Sequence, residues 1–225
     1  MQTIRLAVFL TSVSLFAACD NAEPTAPAEP APEAAEPKAE PPAADPKPAT
    51  ATGLTGADLV GTWVGPCFPS PQGDGSFNQL TFHMTETEWD LNYVAHGDAE
   101  CTAKFMTVNI KGPYTIGKPS AVAEGAHEGT FSFATKTVTP HMEPAVNMVN
   151  SACGTDGAKL AEAFDLSGGC AGLGAYPIAD CAADNDIVMV KDNVLSFGQR
   201  PADNNMCSPD KRPTTFEGGA AVTKQ

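Results

Sequence analysis

The chain has 225 residues, 42% of them hydrophobic, and its 27 acidic residues outnumber 13 lysines and arginines to give a formal net charge of −14. Lys211-Arg212 is the one pair of adjacent basic residues, and binding a polyanion needs clustered cations that displace its counterions, so nucleic-acid binding is excluded. Residues 1–52 hold no core pattern, which leaves roughly 170 residues for folding, the size of one domain.

The segment from Leu6 to Ala18 is thirteen residues long and mostly apolar, behind the single positive charge of Arg5. A hydrocarbon core of roughly 30 Å needs a longer run, so residues 1–18 are predicted to be a signal peptide rather than a membrane span. Leu15-Phe16-Ala17-Ala18-Cys19 resembles the lipobox of bacterial lipoprotein signals, with Phe16 where leucine is commonest. The resemblance implies that Cys19 is acylated and becomes the mature N-terminus. The membrane would then be the first partner, and the protein would lie in the cell envelope, at the periplasmic face or the outer surface.

Residues 19–53 consist largely of Ala, Pro, Glu, Asp and Lys, with prolines at 24, 27, 30, 32, 37, 41, 42, 46 and 48 and no aromatic residue. Such a segment cannot bury a core, and its prolines favour extended polyproline II at about 3.1 Å per residue. It is expected to be a disordered spacer that reaches roughly 100 Å at full stretch.

From Leu54 onward aromatic and β-branched residues appear, punctuated by frequent turn signals, so residues 54–218 are expected to form the folded module and 219–225 a disordered tail. Leu59 to Val64 reads as the first strand. Leu80, Phe82 and Met84 alternate on a second, Trp89, Leu91 and Tyr93 on a third, and Met106, Val108 and Ile110 on a fourth. Gly112-Pro113 predicts a break before Tyr114 and Ile116, and Phe131 and Phe133 mark another strand. Apolar residues at helical spacing predict one or two short helices in the 141–164 region, over 141–152 and 156–164. Residues 168–183 are rich in Gly, Ala and Cys and read as an ordered loop. Ile187 to Val190 and Val194 to Gly198 flank a turn and form a hairpin expected to close the sheet. Short antiparallel strands with tight turns predict a mainly β meander curled into a barrel, because closure removes exposed edges.

With Cys19 assigned to the lipid, Cys67, Cys101, Cys153, Cys170, Cys181 and Cys207 remain. An even set in an exported chain predicts three disulfides. Proximity along a meander pairs Cys67 with Cys101, Cys153 with Cys170, and Cys181 with Cys207. No CxxC pair is present, so neither a zinc site nor a thiol nucleophile is expected.

Several stretches, in order, resemble the domain named after the adenomatosis polyposis coli down-regulated protein. They are Gly61-Thr62-Trp63 with Cys67, His96-Gly97-Asp98-Ala99-Glu100-Cys101, Gly112-Pro113-Tyr114-Thr115-Ile116, Gly125-Ala126-His127-Glu128, Asn150-Ser151-Ala152-Cys153-Gly154 and Arg212-Pro213-Thr214. The resemblance covers Gly61 to Phe216 and implies a lipocalin-like barrel with an apolar cavity. The Gly-x-Trp opening is also similar to that of lipocalins, in which the tryptophan plugs the barrel floor beneath a late arginine. That similarity implies a Trp63 floor packed by Arg212, with Arg200 second.

Phe82, Met84, Trp89, Leu91, Tyr93, Met106, Val108, Phe131 and Phe133 are the candidates to line such a cavity, and the same residues would equally fill a solid core. His83, His96, His127 and His141 show no paired spacing, and Asp180, Asp184, Asp186 and Asp192 miss the calcium-loop pattern, so no metal site and no cofactor are expected and these acids read as solvated turn residues. No catalytic motif is present, and the chain is read as a non-enzyme. Besides a hydrolase without a recognisable signature, two readings stay open. One is a membrane-anchored lipoprotein whose barrel binds an apolar or amphiphilic ligand. The other is an envelope structural module with a solid barrel whose loops bind another protein.

Overall fold

A computed structural model of the chain describes residues 53–225, so the predicted signal peptide, Cys19 and the tether up to residue 52 lie outside the described residues. The short helix α1 (Gly56–Leu59) opens the module. Thr55, just ahead of it, donates its N–H to the Asp58 carboxylate at 2.8 Å. Hydrogen bonds from the Thr55 hydroxyl, and then from its N–H, hold that carboxyl below its usual range. Strands β1 (Gly61–Val64), β2 (Phe68–Pro69), β3 (Phe77–Met84), β4 (Glu88–His96), β5 (Lys104–Pro119) and β6 (His127–Ser132) follow. Next come β7 (Thr135–Pro140), α2 (Glu143–Cys153) and β8 (Phe164–Asp165). The chain then returns through β9 (Ala183–Lys191), β10 (Val194–Phe197) and β11 (Ala221–Lys224).

Eight strands close a ring in chain order, β1-β3-β4-β5-β6-β9-β10-β11 and back to β1, and every pairing is antiparallel. Strand β2 adds to β3, while β7 and β8 continue from β5 outside the ring. The closing strand is β11, which corrects the expectation of a tail over 219–225. Val222 pairs with Leu195 of β10, and Lys224 with Trp63 of β1. Its four residues turn one buried side chain, Val222, to the core, too short a pattern for periodicity to register.

Strand β5 is one element of 16 residues rather than two. The expected break at Gly112-Pro113 is instead the point where β5 changes neighbours, pairing with β7 through Lys111 and with β6 from Tyr114. Glycine is required there, because a Cβ at residue 112 would stand 2.1 Å from the Ser132 carbonyl oxygen.

Helix α2 answers to the first predicted helix. It starts with Glu143-Pro144, buries Ala145 and Val149, and ends on a left-handed Gly154 whose N–H returns to the Asn150 carbonyl. The second predicted helix, over 156–164, is absent. The Asn150 side chain accepts the Ala158 N–H at 2.9 Å and donates to its carbonyl at 3.4 Å, Ala161 takes a φ of 60°, and the segment ends as β8 with Phe164 opposite Val138. An asparagine side chain satisfies the backbone that a helix would have used.

All three disulfides join the expected partners, Cys67–Cys101, Cys153–Cys170 and Cys181–Cys207. The second ties α2 to residues 168–183, which form an ordered loop around the Cys170–Ala175 bridge, and the third ties that loop to the segment after β10. Apolar side chains form two clusters. The larger fills the ring around Trp63, Trp89 and Phe131. The smaller lies under α2, around Val138, Val149 and Leu166.

Candidate functional site

One part of the ring is packed with rings. Phe82 stacks on Phe197 with centroids 4.7 Å apart, Tyr114 stacks on Phe131 at 5.6 Å, and Trp89 meets the edge of Phe131 at 5.4 Å. Phe131 also reaches Phe197 at 5.7 Å, and its ring lies over Gly129, where a Cβ would approach it to 2.8 Å. Of the nine predicted cavity residues, Phe82, Met84, Trp89, Phe131 and Phe133 are therefore buried core. Leu91, Tyr93, Met106 and Val108 are only half-buried.

Those four belong to a pattern fixed by register. Partners in an antiparallel ladder share a face, so side chains line up in rows across adjacent strands. One row across β3, β4, β5 and β7 is Phe82, Leu91, Ile110 and Lys136. The next is Leu80, Tyr93, Val108 and Val138, and a third is Asn78, Ala95, Met106 and Pro140. Phe82, packed in the larger cluster, marks this face of β3 and β4 as the one turned to the core. The margins are covered: Phe82, Lys136, Val138, Asn78, Ala95 and Pro140 are all buried. Between them Leu80, Leu91, Tyr93, Val108 and Ile110 form a band of half-buried apolar side chains. Tyr176 and Ile178, from the disulfide-stapled loop, pack on the same cluster as Leu80, Leu91 and Ile110. Burial, with the Asp74 charge second, pushes the Tyr93 hydroxyl up to about 12, so it stays protonated at any physiological pH.

Trp63, the expected barrel floor, is buried in the larger cluster, with its indole N–H donated to the Leu59 carbonyl at 2.7 Å. Its cation is not Arg212. Lys224 holds Nζ 5.2 Å over the indole, because β11 pairs with β1. Arg212 reaches the opposite wall, where Nε donates to the Asp186 carbonyl at 2.9 Å and Nη2 to that of Gly129 at 3.4 Å. Arg200 pairs with Asp184 at 2.8 Å.

The histidines stay apart in role. His83 Nδ1 lies 3.1 Å from the Thr62 hydroxyl, and His141 Nε2 lies 2.8 Å from that of Thr107. His127 Nε2 accepts the Leu54 N–H at 3.2 Å. His96 is buried with both ring nitrogens unpaired, and burial lowers its pKa against the opposing pull of Asp98. Among the described residues no three His, Cys, Asp or Glu side chains converge as metal ligands.

Asp184 and Asp186 are not solvated turn acids. Both are buried on β9, and burial raises the Asp186 carboxyl to about 7, opposed by Arg200 and by N–H donors from Ile187 and Gly198. Asp180 and Asp192 are exposed as expected. A surface depression of about 350 Å³ is lined by Gln199 to Ala202 and Lys211 to Thr215, and another of about 290 Å³ by Leu54, Asp58, Gly125, His127 and Val190. Neither includes Asp184 or Asp186, nor any residue of the apolar band.

Leu80 and Ile110 complete the band, Lys136 stands at its margin, and all three escaped the sequence-based list of cavity candidates. Leu80 and Ile110 carried the same period-two signal as their neighbours. Lys136 sits in Thr135-Lys136-Thr137-Val138-Thr139, a β-branched run that marks β7 and was readable as a strand.

The fold and the band together define a closed, disulfide-stapled antiparallel β-barrel with an apolar strip on its core-facing wall. Comparison with models of protein families and with curated proteins finds no match to this chain.

Proposed function

We propose that this protein is exported, anchored in the cell envelope by acylated Cys19, and uses the wall of β3, β4 and β5 to bind an apolar or amphiphilic, lipid-like ligand. The observation that carries the reading is the band itself. Leu80, Leu91, Tyr93, Val108 and Ile110 lie contiguously on the core-facing side of the sheet and, with Met106, remain half-buried, while Phe82, Lys136, Val138, Asn78, Ala95 and Pro140 in the same rows are buried. Filling those positions with an apolar molecule would release roughly 25 cal/mol for each Å² removed from water. Three disulfides suit an oxidising compartment, the lipobox resemblance supplies the address, and the resemblance to the adenomatosis polyposis coli down-regulated domain points to the same class of ligand.

Native mass spectrometry of the exported full-length protein, followed by organic extraction, tests this directly. A stoichiometric lipid-like adduct that disappears in Leu91→Trp is the expected result. A clean apo mass with strongly protected core amides would replace it with the second reading, a solid interaction module, which the aromatic packing of Phe82, Phe131 and Phe197 favours. The anchor has its own test: labelled palmitate enters the wild-type protein and fails to enter Cys19→Ala.

A further inference from the structure

The apolar band ends at a buried cation that has no carboxylate of its own. Lys136 stands in one cross-strand row with Ile110, Leu91 and Phe82, and is only 6% exposed. Its Nζ donates to the Tyr176 carbonyl at 3.3 Å and lies 3.6 Å from the centroid of the Phe133 ring. An ammonium has three protons to place, and among the described residues it finds one acceptor and one aromatic face. The nearest acid by charge influence is Asp184, but that carboxylate is held by Arg200 at 2.8 Å, and among the described residues no acid lies within ion-pair distance of Lys136. A buried charge without a counterion is costly, and it is normally found paired.

Resting on the reading of the barrel as an amphiphile binder, we infer that Lys136 is the head-group counterion of the ligand. The ligand is then an amphiphile with an anionic head, its chain lying on Leu91, Ile110 and their neighbours and its carboxylate meeting Nζ beside Phe133. The arrangement selects by charge at one end and by apolar contact along the rest. A neutral alcohol of equal chain length would bury the same surface while leaving the ammonium unpaired.

The probes are decanoate and decanol, offered at equal concentration to the exported full-length protein in non-ionic detergent, with the non-covalent adducts read by native mass spectrometry. The expected result is about a tenfold preference for decanoate, the ratio of a single charge-assisted hydrogen bond. In Lys136→Met the ratio falls toward one. Equal binding of both probes by the wild-type protein overturns the head-group assignment and leaves the amphiphile reading standing. Failure of both probes to bind removes both. The wild-type ratio decides the matter even if the variant does not fold.

Discussion

Lys224 and Trp63 come from the last and first strands of the barrel, and the lysine Nζ stands 5.2 Å over the buried indole. Removing residues 221–225 takes β11 from between β1 and β10 and opens the ring there in a single step. The expected outcome is loss of the cooperative thermal transition, read by near-ultraviolet circular dichroism. Lys224→Ala alone removes only the cation and is expected to cost about 0.5–1 kcal/mol. Trp63→Ala leaves a large cavity and is expected to cost about 3–5 kcal/mol in denaturant unfolding.

Asp186 sets a pH dependence with an unusual sign for an acid. Its folded pKa is raised to about 7 by burial, so the native state holds a proton there that the unfolded chain releases near pH 4. Between those values the unfolded state binds fewer protons, and stability falls as pH rises, by up to about 4 kcal/mol. The loss is complete above the folded value. Asp186→Asn keeps an oxygen for the N–H groups of Ile187 and Gly198 and is expected to flatten the slope. Urea titrations from pH 4 to 8 read it, and an unchanged slope in the variant would rule out Asp186 as the source.

Gly112 is expected to tolerate no side chain. A Cβ there would lie 2.1 Å from Ser132 O and 2.9 Å from Ala134 N, both backbone atoms. Gly112→Ala should therefore destabilise by several kcal/mol, about the upper end of single-substitution effects. Full stability by thermal melting would show that β5 and β6 can part there at little cost.

The disulfides should differ in worth by the loops they close. Cys67–Cys101 spans 34 residues and Cys153–Cys170 spans 17. Doubling the loop adds about 0.6 kcal/mol of closure entropy, so removing the first pair should cost that much more than removing the second. Paired Cys→Ala variants compared in guanidinium give the difference.

Much of this fold is legible in the sequence because its signals are local. Alternation exposes β3 and β4, the glycine after α2 stops the helix, and chain proximity pairs the cysteines. What escapes is non-local. Nothing in Ala221-Val222-Thr223-Lys224 announces that it lies between β1 and β10, and the cation over Trp63 depends entirely on that pairing. Asp184 and Asp186 read as turn acids because their burial comes from strands and loops distant in sequence, including Arg212 at the Asp186 carbonyl. The predicted helix over 156–164 fails for the opposite reason. A single nearby side chain, Asn150, outweighs a correct periodicity. At the candidate site the alternating residues were visible, but which of them fill the core and which remain half-buried is settled by the rows they make with β5 and β7.

Because β11 is the stave that completes the ring, the barrel is an all-or-none object in time as well as in space. A chain emerging N-terminus first can form the β3-β4-β5 sheet early, yet β1 and β10 stay open until residues 221–224 arrive. The stapled interior is thus withheld until synthesis of the module is finished.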